Sequence, residues 1–202
     1  MHSKKRIGLF FGSFNPIHIG HLAIANYAVA FGDFAEVWLV VSPQNPLKCK
    51  GSLAGEEHRI AMAQIAVKNL NLSICVCDIE MRLPRPSYTV NTLETLVNEN
   101  SGCEFCVIMG ADSLHGIERW REYQKILSDY TVYVYPRLGY DAKALCSKYR
   151  AELWDAPIIE ISSTFIREST GTGKNMNAFI SPALGKYIKE NGLYKNEKIE
   201  TV

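Results

Sequence analysis

Nowhere in these 202 residues does an apolar run approach the ~18 residues that a membrane-spanning helix needs. The opening MHSKKRIGLFFGS is basic, but its apolar stretch is too short for a signal peptide. An excess of charge of one sign is also lacking: 22 Lys and Arg face 21 Asp and Glu, a net of +1. Such a chain has no global field to draw in nucleic acid, so an anionic ligand must be held by local groups. Cysteines occur at Cys49, Cys75, Cys77, Cys103, Cys106 and Cys146, mostly inside strand-like or helical runs. The one CxxC pair, Cys103 and Cys106, lies in the strand-like EFCVIMG, and no second pair or nearby histidines complete a zinc site. Repeats, low-complexity tracts and linkers are missing, and only the terminal KNEKIETV reads as a frayed tail. The expectation is a soluble, reduced, cytoplasmic chain folded as one domain over residues 1–202, with neither nucleic acid nor membrane as partner.

What is present is an apolar pattern that alternates between two periods. IGLFF, EVWLVVS, LSICVCDI, EFCVIMG, TVYVYP and PIIEIS read as buried strands, dense in Val, Ile and aromatics. Between them, Ile60, Ala63, Val67 and Leu70 repeat at helical spacing over residues 56 to 70, as do Val90, Leu93 and Val97 over residues 89 to 98. Ser181-Pro182 marks a helix start and Gly192 its end. Strands buried on both faces and separated by helices predict a Rossmann-like, doubly wound parallel sheet in a three-layer α/β/α arrangement. Ligands of such sheets bind beyond the carboxyl ends of the strands, so the strand-to-helix loops are the places to search.

The first such loop, GSFNPIHIGH, places His18 and His21 at a helix start. Gly12 eases the chain out of the strand, and Gly20 allows close approach of a ligand to the backbone. Free N–H groups and the positive end of the helix dipole suit phosphate there, and the histidines add side-chain donors. The glycine spacing is not that of a dinucleotide fingerprint. The last loop, EISSTFIRES, offers Ser162, Ser163 and Thr164 as caps of a helix that carries Arg167 one turn on. Read singly, each loop also fits ordinary capping.

Together, GSFNPIHIGH and ISSTFIR resemble the nucleotidyltransferase superfamily with its (H/T)xGH loop and late S/T-x-x-R helix start. The wider chain resembles bacterial nicotinate-nucleotide adenylyltransferases, through R-x-x-M at Arg59 to Met62, PSYTVNTL at 86 to 93, GADSLHGIERW at 110 to 120, PRLGY at 136 to 140 and KYIKENGLY at 186 to 194. It departs from the usual opening GGTFDP at Phe11, Ser13 and Asn15, a form closer to relatives that also accept nicotinamide mononucleotide. It has NPLK where relatives carry PPHK, and Leu138 where proline is usual.

The resemblance implies transfer of the adenylyl group of ATP to nicotinate mononucleotide, giving deamido-NAD and pyrophosphate. It implies catalytic roles for His18, His21 and Arg167, and an ATP site made with Gly12, Ser13, Phe14, Gly20, Gly110, Asp112, Ser163 and Thr164. Asn15, Lys48, Thr89, Trp120, Arg121 and Arg137 are implied for the mononucleotide, with Trp120 stacked on the pyridine ring and backbone N–H groups near Thr89 and Arg121 meeting its carboxylate. Mg²⁺ is expected on the ATP oxygens rather than in a protein cage. No acidic side chain in the two base-reading segments is nearer than Glu122 to receive an amide, so nicotinate is the expected base. Plainer alternatives are a core aromatic at Trp120 and a helix cap at Asp112. A dual-specificity enzyme and a non-catalytic nucleotide sensor are the competing functions. Whether the chain forms a homo-oligomer stays open.

Overall fold

The computed structural model describes residues 4–43 and 53–195. Six strands make one sheet: β1 (Lys5–Gly12), β2 (Glu36–Val41), β3 (Ile74–Cys77), β4 (Cys103–Gly110), β5 (Val132–Tyr135) and β6 (Glu152–Leu153). Their order is β3-β2-β1-β4-β5-β6, and every pairing is parallel. The winding reverses between β1 and β4, and a crevice therefore opens beyond their carboxyl ends.

The strands alternate their side chains between two cores, as the period of two requires. Ile7, Leu9, Phe105, Val107 and Met109 face one layer, whose helices are α3 (Thr89–Glu99), α4 (Ala111–His115), α5 (Tyr123–Asp129) and α6 (Ala142–Tyr149). Phe10, Val37, Leu39, Cys106 and Ile108 face the other, covered by α1 (Ile19–Phe31), α2 (Glu56–Val67), α7 (Ser163–Gly171) and α8 (Pro182–Glu190). This is the three-layer, doubly wound arrangement that the alternating pattern predicts. Cys103 and Cys106, three apart on one strand, consequently belong to opposite layers and cannot share a ligand.

Local signals act as expected at α8, where the Ser181 hydroxyl accepts from the Leu184 N–H and Pro182 opens the helix. Gly192 follows with a φ of +61°, which turns the chain after the helix. α2 stops at Val67, short of the expected Leu70, which is 36% exposed and lies in a turn.

One predicted strand is absent. PIIEIS, residues 157 to 162, has no regular structure, and β5 instead pairs with Glu152–Leu153. Pro157 brings no N–H to a ladder, and the chain bends away after the Trp154 N–H reaches the Val134 carbonyl. The segment then crosses the open end of the sheet, where Ile159 and Ile161 line a cavity.

A buried cation fixes that end of the sheet. Arg59 of α2 is 0% exposed, and burial lowers its pKa. Its guanidinium donates to the carbonyls of Ser13, Ser42 and Pro43 at 2.9, 2.5 and 2.5 Å, and its Nε to Ala54 at 3.0 Å. The exits of β1 and β2 are thus tied to one side chain. Each buried carbonyl left without a donor costs about 1–3 kcal/mol. Arg59→Met is therefore expected to lower the unfolding free energy by about 3 kcal/mol or more, measured by urea denaturation. A loss within about 0.5 kcal/mol, the range of ordinary surface substitutions, would contradict this reading.

Candidate active site

Two cavities of about 460 and 500 Å³ open at the carboxyl end of the sheet. They share Phe10, Phe11, Gly12, Ser13, Asp112 and Tyr135, so they are halves of one cleft that meet over the end of β1.

The first loop shapes the larger half. Phe14 adopts a φ of +44°, an uncommon conformation for a bulky residue, with its ring 1% exposed in the core. Its side chain turns away from both cavities; the histidines do not. His18 and His21 rings lie 3.7 Å apart and inclined by 30°, and the His21 ring packs edge-on to Phe14 at 5.1 Å. The His18 N–H donates to His21 Nδ1 at 3.3 Å. A neutral His21 must then carry its proton on Nε2, which makes that nitrogen the donor of the ring. His18 is 5% exposed, and burial first, then the Arg137 charge, holds its pKa down to about 4. It is neutral at pH 7, so a hydrogen bond from its ring brings no charge to the site. A Cβ at Gly20 would lie 3.0 Å from the His18 ring, so this glycine is needed for the ring's packing as well as for ligand approach.

The last loop is bonded to the first. Ser162 caps α7 by accepting from the Phe165 N–H, while the Ser163 hydroxyl donates to the Pro16 carbonyl at 2.9 Å. Arg167, 9% exposed, donates to the Asn15 carbonyl at 3.1 Å and to the Thr164 hydroxyl at 3.3 Å. Gly12, Ser13, His18, Gly20, His21 and Asp112 line this half together with Ser163, Thr164 and Arg167.

Two residues expected on the mononucleotide side also lie here. Arg137 faces Asp112 at 3.8 Å and donates to the Ile159 carbonyl. Asn15 is 4% exposed, and its side-chain oxygen accepts from the Ala54 N–H and the Tyr194 hydroxyl, which makes it a brace within the loop.

Thr89, Gly110, Trp120 and Arg121 line the other half, and Asp112 stands on the shared wall. Trp120 packs partly against the core beneath. Arg121 lies 4.9 Å over the Tyr88 ring, with Glu122 at 3.5 Å. Gly110 ends β4, where a Cβ would stand 2.3 Å from the Asp112 carboxylate. Lys48 lies outside the described residues.

Sequence reasoning missed Glu80, which lines the same half as Thr89 and Trp120. Glu80 lies outside the two base-reading segments, for which Glu122 is the nearest acid expected. Glu80 belongs to the short turn Ile79–Met81, too brief for any periodic signal. It also missed the brace from Tyr194, although KYIKENGLY was among the noted motifs.

The lowered His18 pKa makes stability depend on pH with a definite sign. Between the ordinary imidazole value of 6.5 and about 4 the unfolded chain binds the proton and the folded one does not. Stability attributable to His18 is therefore full above that window and is lost as pH falls through it, by about 3 kcal/mol in all. His18→Asn, which keeps a polar side chain at the start of α1, is expected to be less acid-sensitive over that range in chemical denaturation. Parallel stability curves for the two proteins would contradict it.

Comparison with known proteins agrees with this geometry. The cytidylyltransferase-like family model matches residues 9–169. A curated probable nicotinate-nucleotide adenylyltransferase of Flavobacterium johnsoniae is 45% identical over 192 residues, 94% of this chain and 99% of the relative. One of Bacteroides fragilis is 44% identical over 186 residues, 92% of each chain. The fold is shared with a solved Plasmodium falciparum nicotinic acid mononucleotide adenylyltransferase complexed with NaAD, at TM-score 0.80 and 22% identity, covering 94% of this chain and 97% of that one. The chain belongs to the cytidylyltransferase-like family and, within it, to the nicotinate-nucleotide adenylyltransferases.

Proposed function

We propose that the cleft joins ATP to nicotinate mononucleotide, releasing pyrophosphate and leaving deamido-NAD. The observation that carries the proposal is the pair of half-cavities meeting at Gly12 and Ser13, one lined by donors for phosphate and the other by Trp120 and the start of α3. An oxygen of the mononucleotide phosphate bonds to the α-phosphorus of ATP while the bond from that phosphorus to the bridging β-oxygen breaks. The attacking group is already an anion, so no base is required. The barrier is charge repulsion, and catalysis is positioning and electrostatic stabilisation.

In this reading His21 Nε2 and His18 donate to the phosphates, and the start of α7 with Ser163, Thr164 and Arg167 holds the leaving pyrophosphate. Lys48 is assigned to the incoming phosphate. This half offers N–H and O–H donors with Asp112 as its carboxylate, so Mg²⁺ would be held mainly by the nucleotide and would supply charge neutralisation of its phosphates. Trp120 stacks on the pyridine, and the first N–H groups of α3 with the Arg121 segment receive its carboxylate. Charge-assisted bonds to paired N–H groups favour the acid, since an amide would set N–H against N–H.

The test is pyrophosphate release from the purified protein with ATP, Mg²⁺ and each mononucleotide in turn. The expected result is turnover with a clear kcat/KM preference for nicotinate mononucleotide, reduced by about 10²–10³-fold in kcat for His21→Ala. Trp120→Ala is expected to raise KM for both mononucleotides and to spare that of ATP, because stacking does not sense the carboxylate. Equal kcat/KM for the two mononucleotides would overturn the selectivity. Near-normal kcat in His21→Ala would overturn the role of the histidines.

A further inference from the structure

Glu80 is a buried acid that the transfer chemistry does not use. It follows β3, is 3% exposed and forms part of the wall of the Trp120 half. The Thr92 hydroxyl donates to one of its oxygens at 2.8 Å and the Ser87 hydroxyl to the other at 3.3 Å. The Ser42 hydroxyl is a third donor. Burial pushes its pKa up, and the three hydroxyls pull it back. These donors come from separate pieces of chain: the exit of β2, the turn entering α3, and the first turn of α3. Burying a carboxyl is costly unless it is hydrogen-bonded, and here two of the three donors, Ser87 and Thr92, come from either side of the apex of one segment.

That segment is Ser87–Thr89. Tyr88 stands at the N-cap of α3 and supplies no side-chain cap hydrogen bond, so the first N–H groups of the helix have no partner from a cap. The Thr92 hydroxyl lies 2.8 Å from Glu80 and 3.3 Å from the Tyr88 carbonyl, and its one proton goes to the nearer carboxylate. Glu80 therefore grips the turn from both sides of its apex.

We propose that Glu80 is a positioning residue for base selectivity: it fixes the Ser87–Thr89 turn so that the start of α3 meets a carboxylate and not a carboxamide. This rests on the reading of the base given above. Two effects act together. The grip holds the N–H groups in register with two carboxylate oxygens, where small displacements matter. The same three hydroxyls also occupy most of the lone pairs through which Glu80 itself could accept an amide N–H.

The experiment compares the full chain with Glu80→Gln and Ser87→Ala, measuring kcat and KM for ATP and for each mononucleotide, together with the thermal midpoint. The expected result for Glu80→Gln is a fall of about tenfold in the nicotinate-to-nicotinamide ratio of kcat/KM, carried by KM for nicotinate mononucleotide. The ratio is expected to fall by about threefold in Ser87→Ala, which loses one of the three bonds. KM for ATP should stay within about twofold in both.

A lowered midpoint with an unchanged ratio would make Glu80 a structural brace alone and overturn the proposal. If Glu80→Gln does not fold, the ratio in Ser87→Ala decides in the same way. A wild-type protein without nicotinate preference would overturn the reading of the base itself, and this proposal with it. Preference in the wild type with unchanged ratios in both variants overturns the role of Glu80 alone.

Discussion

A single guanidinium with no exposure to solvent holds the ligand-facing end of this sheet in one shape. Arg59 donates to four carbonyls, from the exits of β1 and β2 and from Ala54, two positions before α2. A buried cation surrounded by carbonyls is stable only while each stays in place. The loops around it therefore have little freedom to drift, and the cleft is built on them. Asn15 extends the same constraint. Its side chain is held by Tyr194 and Ala54, and its carbonyl by Arg167, contacts that span 179, 39 and 152 residues of sequence. The loop proposed to bind phosphate is thereby tied to the scaffold by its side chain and by its backbone.

Electrostatics divides the cleft into two tasks. In one half, a neutral His18, a His21 with its proton directed to Nε2, Arg137 and Arg167 offer donors to a group that carries several negative charges. Keeping His18 neutral limits repulsion with Arg137, 5% exposure being enough to deny it the water that would stabilise a charge. In the other half, aromatic faces and a helix start suit a flat ring with one charged substituent. The two halves meet at the shared wall, from Phe10 to Ser13 with Asp112 and Tyr135, and the proposed reaction sets the reacting phosphates there.

Much of this was legible in the sequence because period and chemistry coincide there. Five of the six apolar runs are strands of the parallel sheet, and the loop with the histidines follows the exit of the first of them. The failures share a physical origin. PIIEIS has strand composition, but a proline at its start and a position across the open cleft outweigh propensity. Glu80 and Tyr194 act through contacts that only the folded topology creates, one in a three-residue turn and the other near the far end of the chain. Arg137 and Asn15 could be read as ligand-facing from their motifs, yet which half of the cleft they serve depends on how β5 and the first loop approach each other. No local signal carries that.

The central claim is that one molecule can lie across both halves of the cleft with its phosphates at the histidines. A crystal structure with the dinucleotide product, deamido-NAD, tests it directly. The account predicts the pyridine ring on Trp120, its carboxylate within hydrogen-bonding distance of the Thr89 N–H, and the bridging phosphates beside His18 and His21. A dinucleotide bound with its adenine on Trp120, or with its phosphates away from the histidines, would contradict it.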